Sequence, residues 1–138
     1  MDPTVFVLDA QPIVGAIRQE PVRSLFEGLI SRAARGEIGL RLTVVNAGEV
    51  IYATERALGA TAGHHALRAL QDWPIVIVPI DLELAARAAW FKLRGGISYA
   101  DCFAAALAHR DGIPVVTGDP EFRRVADDVD IAWVDEFA

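Results

Sequence analysis

The sequence predicts an α/β fold, a three-layer α/β/α sandwich with a central, mainly parallel five-stranded sheet. Short runs of branched aliphatic residues alternate with longer segments of helical periodicity, which is the pattern of repeated βαβ units. Residues 4–8 form an uninterrupted apolar run, as expected of a strand buried on both faces. The chain has 138 residues, 53% of them hydrophobic. We therefore expect residues 1–138 to form one domain with a sizeable core.

Five strands are predicted from short apolar runs between the helical segments. Pro74 and Pro79 flank the third run, and the last run is short enough to suit an edge of the sheet. The predicted strands are 4–8, 40–45, 75–78, 114–117 and 131–134.

Six helices are predicted between these strands. Pro12 lies near the first turn of the first helix, where proline is tolerated. Gly36, Gly59 and Gly112 follow helical segments, as is typical of helix C-termini. The predicted helices are 12–19, 21–35, 47–58, 61–71, 81–94 and 99–111.

Composition excludes several classes of protein. The longest uninterrupted apolar run, residues 73–80, has eight residues, whereas a membrane span needs roughly 20. The N-terminus lacks the basic region and cleavage site of a signal peptide. One cysteine, Cys102, excludes an intramolecular disulfide and a cysteine-based zinc cluster. We expect a cytoplasmic protein in a reducing compartment.

The charge balance argues against nucleic-acid binding at first. Thirteen basic and nineteen acidic residues give a net charge of −6, and an acidic protein repels the phosphate backbone. Twelve of the basic residues are arginine, the side chain that binds phosphate oxygens through two parallel donors. This composition leaves two interpretations open: the charges serve only solubility, or the arginines bind phosphate groups.

Four acidic residues from distant parts of the chain are predicted to meet at one edge of the sheet. Ligands of parallel sheets bind outside the carboxyl ends of the strands. Asp9 follows the first strand, Glu49 is expected in the first turn of the helix after the second, and Asp119 follows the fourth. Asp101 begins helix 99–111, which is about 20 Å long and must return to the same edge.

Each acid also has a structural explanation as a helix cap or a turn residue. Asn46, for example, would be the N-cap of its helix, with Glu49 bonding back to it. If all four share one pocket, however, their charges repel by roughly 4 kcal/mol per pair at an effective dielectric near 20. The only lysine, Lys92, lies in another helix. A divalent cation that prefers oxygen ligands, Mg²⁺ or Mn²⁺, would relieve this repulsion.

Four blocks of sequence carry a family resemblance: Val5–Ala10, Val45–Val50, Ser98–Ala106 and Val116–Phe122. In this order and spacing they resemble the signature blocks of PIN-domain ribonucleases, in particular the VapC-type toxins of prokaryotic toxin–antitoxin pairs. The resemblance extends from residue 4 to about residue 134. It implies a single PIN-like nuclease domain that hydrolyses RNA with Mg²⁺, for which Mn²⁺ would substitute, and leaves 5′-phosphate and 3′-hydroxyl ends.

The resemblance also implies roles for particular residues and partners. It assigns the catalytic and metal-binding quartet, together with Thr117 as a supporting residue. It further implies a homodimer and a cognate antitoxin protein that lies over the active-site groove. The quartet consists of Asp9, Glu49, Asp101 and Asp119.

Four further residues are candidates for RNA binding. Arg123 and Arg124 follow the last acidic block, and Arg18 lies one helix away from Asp9. Tyr99 begins the last long helix and could stack on a base. The alternative for each arginine is a solvated surface position, and the alternative for Tyr99 is core packing.

Two alternative functions stay open at this point. One is a non-catalytic α/β interaction module whose acids are all caps, and the other is a PIN nuclease of RNA processing rather than a toxin. Phospho-receiver domains and dehalogenase-type phosphatases are disfavoured. The first strand is followed by Asp9-Ala10-Gln11, which lacks the second acid that both classes need at this position.

Overall fold

The computed structural model describes residues 4–137, and it contains one sheet of five strands. The strand order is β3-β2-β1-β4-β5, and every neighbouring pair is parallel. The predicted α/β sandwich is confirmed, and the last strand lies at an edge as expected. The strands are Thr4–Leu8 (β1), Ile38–Thr43 (β2), Val76–Val78 (β3), Val115–Thr117 (β4) and Ile131–Trp133 (β5).

Six α-helices connect the strands, close to the predicted segments. Two short 3₁₀ helices, Pro120–Val125 and Val134–Phe137, were not predicted, since segments of four to six residues show no readable periodicity. No helix among residues 4–137 has both the length and the apolar character needed to cross a membrane. The α-helices are Ala10–Ile17 (α1), Val22–Ala34 (α2), Val44–Leu58 (α3), Ala60–Asp72 (α4), Leu82–Gly95 (α5) and Tyr99–Asp111 (α6).

Helices cover both faces of the sheet. Because successive side chains of a strand point to opposite faces, Val7 and Val115 pack with α5 and α6, whereas Leu8 and Val116 pack with α1–α4. The two central strands β1 and β4 are therefore buried on both sides. This explains why the first strand has an apolar sequence without alternation.

Helix α6 is the most deeply buried helix of the fold. Its residues 101–108 are all buried, and four of them are alanines, which allow close approach of the neighbouring helices. The helix ends at Gly112, which has a positive φ of 65°, and β4 begins three residues later. Its N-terminal turn therefore lies at the carboxyl edge of the sheet.

The boundary between β2 and α3 differs from the prediction. The strand ends at Thr43, and α3 begins at Val44 without a loop. Thr43 is the N-cap, because its Oγ1 accepts a hydrogen bond of 3.0 Å from the backbone N–H of Asn46. The β-branched Val44 and Val45 suggested a longer strand, but the cap and the tertiary packing override this propensity. Asn46 is thus not the N-cap, and Glu49 lies in the second turn rather than the first.

Candidate metal centre

The pocket that contains the predicted acids lies where the order of the strands reverses. From β1 the chain proceeds outward to β2 and β3, and then returns to β4 on the other side of β1. Ligands of parallel sheets bind in the crevice at such a point. Asp9 directly follows β1, and Asp119 lies two residues after β4. Adjacent parallel strands thus bring two acids that are distant in sequence to one edge.

Asp9 is buried and does not act as a cap. It is 2% exposed, and its side chain makes no capping hydrogen bond to α1. Thr117 donates a hydrogen bond of 2.9 Å to Asp9 Oδ2. Asp9 Oδ1 is buried without a hydrogen-bond partner among the described residues. Buried polar atoms are almost always hydrogen-bonded, so we expect this oxygen to bind a ligand.

Thr117 connects the two acids of the central strands. Its hydroxyl donates to Asp9 and accepts a hydrogen bond of 3.0 Å from the backbone N–H of Asp119. Asp119 Oδ1 in turn accepts a hydrogen bond of 2.9 Å from the backbone N–H of Glu121. Asp119, which the sequence indicated as a turn residue, therefore caps the short 3₁₀ helix Pro120–Val125, and one of its carboxylate oxygens is used for this bond. Its role in metal binding stays a prediction.

Helices α6 and α3 contribute the other two predicted acids. Asp101 lies in the first turn of α6, where the Ser98 hydroxyl accepts a hydrogen bond of 3.2 Å from its backbone N–H. Glu49 is half-buried on α3, and its Oε1 has no hydrogen-bond partner within residues 4–137. Both helices thus direct a carboxylate toward the edge where Asp9 lies.

The acids form two overlapping groups. Asp9, Glu49 and Asp101 each offer one oxygen, and these oxygens lie within 4.8 Å of one another. Asp101, Asp119 and Glu121 form a second group within the same limit. All five side chains line one pocket of about 440 Å³. The structure therefore brings the predicted quartet together, with Asp101 common to both groups.

Burial and mutual repulsion raise the pKa values of three of these carboxyls. The pKa of Asp9 is well above its ordinary value because of burial and then the charge of Asp101, and the Thr117 hydrogen bond only partly offsets this. Burial and the charge of Asp101 also raise the pKa of Glu49, and the Asn46 side chain only partly offsets this. For Asp101, burial raises the pKa, the Ser98 hydroxyl opposes it, and the charge of Asp119 adds to the rise.

A divalent cation fits this set of residues. Among residues 4–137, no arginine or lysine forms an ion pair with any acid of the two groups. Two buried carboxylate oxygens, on Asp9 and Glu49, have no partner in the described part of the chain. All the candidate metal ligands are carboxylate oxygens, which suit Mg²⁺ or Mn²⁺ better than zinc.

The predicted RNA-binding residues lie at different distances from this pocket. Arg18 is the one basic residue among those that line it, and it also pairs with Glu20 at 3.6 Å. Arg123 lies over the ring of Trp133, and Arg124 donates to the Gly96 carbonyl oxygen at 2.8 Å. Neither Arg123 nor Arg124 lines the pocket. Their RNA-binding roles stay predictions.

Tyr99 is not a core residue. It is 52% exposed, and its ring packs edge-on against Phe103 with centroids 5.0 Å apart. The exposed position near the pocket is compatible with the predicted stacking on a base, which stays a prediction.

Two residues of the pocket were missed by sequence reasoning. Glu121 joins the second acidic group because Asp119 caps the 3₁₀ helix and Glu121 lies in its first turn, two residues away. The sequence signal was the pair of acids around Pro120. Gln11 accepts a hydrogen bond of 2.9 Å from the backbone N–H of Gly118. This contact joins residues 107 positions apart, and no local pattern indicates it.

A second, larger groove lies beside the acidic pocket. It has a volume of about 690 Å³ and contains no residue of either acidic group. Helix α1 contributes to both, since Ala16 and Ile17 line the groove and Val14 and Gly15 line the pocket. The groove is lined about equally by polar and apolar surface, and two of its residues are charged. Its other lining residues are Gln19, Arg23, Phe26, Glu27, Ile30, Ser31 and Trp73.

Comparison with known proteins agrees with this architecture. A sequence model of the PIN domain matches residues 6–128. Among proteins with curated descriptions, none matches the chain.

Several solved structures are similar over nearly the whole chain. VapBC2 from Rickettsia felis, bound to a promoter DNA fragment, has a TM-score of 0.75 and 15% identity, with 94% of this chain and 98% of that chain covered. VapC20 from Mycobacterium tuberculosis, described as a toxin that cleaves the sarcin-ricin loop, has a TM-score of 0.73 and 15% identity, with 93% and 98% covered. VapBC-5 from the same organism has a TM-score of 0.63 and 21% identity, with 95% and 98% covered. At these identities the likeness shows the shared fold.

Proposed function

The chain belongs to the PIN domain family, and from this premise we propose that it is a divalent-metal-dependent endoribonuclease. The observation that carries the proposal is the pair of buried, unpartnered oxygens on Asp9 and Glu49, both close to Asp101. Carboxylates that served only as caps would bond to backbone N–H groups, and Asp9 does not. A non-catalytic interaction module gives no reason to bury such repelling groups together.

The residues of the first group would hold one Mg²⁺, for which Mn²⁺ would substitute. They are Asp9, Glu49 and Asp101, and Asp119 with Glu121 would complete a second position that shares Asp101. When bound, such an ion neutralises charge on the phosphodiester transition state and lowers the pKa of an attacking water. The quartet also accounts for four of the nineteen acidic residues of the chain, so part of the negative charge would be neutralised in the active protein.

The protein itself supplies orientation for this chemistry. Thr117 holds Asp9 and Asp119 in one arrangement through a single hydroxyl, so the two strands present their acids together. Arg18 lines the pocket and would contact a phosphate of the bound RNA. A pocket carboxylate would take the proton from the attacking water, as general bases do. Cleavage would leave a 5′ phosphate and a 3′ hydroxyl.

RNA cleavage that depends on a divalent ion tests the proposal directly. The purified protein is expected to cleave RNA with Mg²⁺ or Mn²⁺, to stop with EDTA, and to resume when excess Mn²⁺ is added. Mn²⁺ is also expected to raise the melting temperature, because a ligand at about 100 times its Kd stabilises the folded state by about 2.7 kcal/mol. An unchanged melting temperature at millimolar Mn²⁺, together with no cleavage, would contradict the proposal.

We further propose that this nuclease is the toxin of a toxin–antitoxin pair and acts in the cytoplasm, where its RNA substrate is found. Support comes from two of the similar structures: VapC20 is described as a toxin, and VapBC-5 as a member of a family of toxin–antitoxin systems. The groove beside the acidic pocket shares α1 with it, so a peptide segment of the antitoxin could lie across both. A PIN nuclease of RNA processing is the alternative.

The antitoxin proposal is tested by the product of a neighbouring gene. We expect a short adjacent reading frame that encodes a DNA-binding fold with an arginine-rich tail. Its product should co-purify with this chain and abolish RNA cleavage. If cleavage of total RNA proceeds unchanged in the presence of every adjacent gene product, the RNA-processing alternative is favoured instead.

A homodimer is the second partnership that we propose. Two leucines of α5, Leu82 and Leu93, are each 86% exposed, and Trp90 on the same helix is 37% exposed. A second copy that covered them would remove this apolar surface from water. Light scattering on the purified chain is expected to give about twice the monomer mass of 14.9 kDa. A monomer mass at concentrations of about 100 μM or above would contradict the dimer.

A further inference from the structure

Asn46 is a fully buried polar residue of α3 that the proposed chemistry does not use. Its exposed fraction is 0%. Its Oδ1 accepts a hydrogen bond of 2.6 Å from Thr43 Oγ1, and its Nδ2 donates a hydrogen bond of 3.0 Å to the backbone carbonyl of Ala100. The side-chain amide is thus bonded at both ends. Thr43, not Asn46, caps the helix, so helix capping does not account for an amide at this position.

The bond to Ala100 joins the two helix turns that carry metal-site acids. Asn46 and Glu49 are three residues apart on α3, so they lie on the same side of that helix. Ala100 immediately precedes Asp101 on α6. Within residues 4–137, this is the only side-chain hydrogen bond between α3 and α6. This bond therefore joins the two backbones close to Glu49 and Asp101.

We propose that Asn46 is a positioning residue that holds Glu49 against Asp101 and so sets the divalent-ion affinity of the site. The inference rests on the proposed metal-dependent function. Without an ion, the charges of Glu49 and Asp101 repel each other, which favours separation of the two helices at this edge. A neutral amide opposes that separation without adding a further charge to the pocket.

The side chain at this position must donate and accept at the same time. Thr43 Oγ1 donates to the amide oxygen, which leaves the amide nitrogen oriented toward the Ala100 carbonyl. An ionised aspartate would have no hydrogen to donate to that carbonyl. An alanine would leave the carbonyl and the Thr43 hydroxyl with one partner fewer. Groups that orient ligands in this indirect way typically change metal affinity by about 10- to 100-fold when they are removed.

The test compares Asn46→Ala with Val50→Ala by Mn²⁺ titration of the metal-free protein, followed by electron paramagnetic resonance of the free ion. Val50 is also 0% exposed and lies on the same helix, so its truncation lowers the melting temperature without removing the inter-helix bond. We expect Asn46→Ala to raise the Kd for Mn²⁺ by about 10-fold. Val50→Ala should change this Kd by less than about twofold.

RNA cleavage provides a second measurement. The Asn46→Ala variant should need about 10-fold more Mn²⁺ for half-maximal cleavage, but should approach the wild-type rate at saturating Mn²⁺. If Asn46→Ala does not fold, Asn46→Ser gives the same comparison, because its hydroxyl is one bond too short to reach the Ala100 carbonyl.

The possible failures are distinguishable. If the wild-type protein binds no Mn²⁺, the proposed function is overturned and this inference with it. If the wild type binds Mn²⁺ and Asn46→Ala binds it equally well, only the role of Asn46 is overturned. An equal loss of affinity in Asn46→Ala and Val50→Ala also overturns it, because the effect would then follow from stability alone.

Discussion

Replacing Asp9 with asparagine is expected to abolish RNA cleavage and, at the same time, to make the metal-free protein more stable. Asparagine keeps an oxygen that can accept the Thr117 hydrogen bond, but it removes a buried negative charge close to Glu49 and Asp101. Two unit charges 4–5 Å apart repel by roughly 3–4 kcal/mol at an effective dielectric near 20. The free energy of unfolding should therefore rise by about 1–3 kcal/mol.

Cleavage should fall in the same variant by at least about 100-fold. Stabilisation of the phosphodiester transition state by a bound ion amounts to several kcal/mol, and each 1.36 kcal/mol or so is a factor of ten in rate. The rise of the melting temperature with Mn²⁺ should also disappear. Urea denaturation in EDTA gives the stability, and a fixed-time assay on total RNA gives the activity.

Asp128→Asn is the matched control. Asp128 is exposed and lies outside both acidic groups, so its substitution should change neither stability nor cleavage appreciably. Asp9→Asn would speak against the metal site if it lowered the stability of the metal-free protein. Retained cleavage in this variant would refute the catalytic assignment of Asp9.

Three carboxyls of the metal-free protein are expected to make its free energy of unfolding decrease as the pH rises. Carboxyls in ion pairs have the opposite effect. The folded state raises the pKa values of Asp9, Glu49 and Asp101, whereas the unfolded carboxyls titrate near about 4. The folded state thus binds more protons than the unfolded state between these values. The contribution of the three groups is favourable below the unfolded pKa and is lost as the pH rises through the raised folded pKa values.

Other carboxyls stabilise the folded state more as the pH rises. The stability of the wild type must therefore be compared with that of Asp9→Asn at each pH. Burial favours the protonated form of Asp111, but its contacts with Arg110 and Arg41 lower its pKa overall. Its contribution is therefore present above the unfolded pKa and is lost as the pH falls. Subtracting the stability of the wild type from that of Asp9→Asn at each pH removes such terms.

This difference should increase from about pH 4 upward and then level off once Asp9 of the wild type is fully ionised. Saturating Mn²⁺ should abolish the increase, because the bound ion favours the ionised carboxylates. Urea denaturation from pH 4 to pH 9, with EDTA and with Mn²⁺, provides the measurement. A difference that is constant across this range would show that Asp9 does not titrate in a site of shared charges.

The alternation of strands and helices and the convergence of the acids were accessible from the sequence, because both follow from local pattern and chain geometry. Apolar runs such as residues 4–8 identified strands buried on both faces. The short connection between α6 and β4 is sufficient to predict that Asp101 lies at the same edge as Asp9. Parallel βαβ connectivity leaves few other arrangements for such a chain.

The beginning of α3 shows where local pattern was insufficient. Val44 and Val45 have strand propensity, and Asn46 is a favourable N-cap residue. The Thr43 cap overrides both. Propensity is a weak local term, and it yields when a cap and a buried contact both favour the helix. Because Thr43 caps α3, the Asn46 side chain is available for the hydrogen bond to Ala100 on α6.

The sequence by itself determined the fold class, the family resemblance and the acids gathered at one edge of the sheet. Only the tertiary structure decided how those acids are held. The Thr117–Asp9 hydrogen bond joins residues 108 positions apart, and the Asn46–Ala100 bond joins residues 54 apart. Hydrogen bonds act over about 3 Å, and the packing of the sheet, α3 and α6 brings these groups within that range. Local periodicity does not indicate such contacts, so the unpartnered oxygens on Asp9 and Glu49 can be identified only from the tertiary structure.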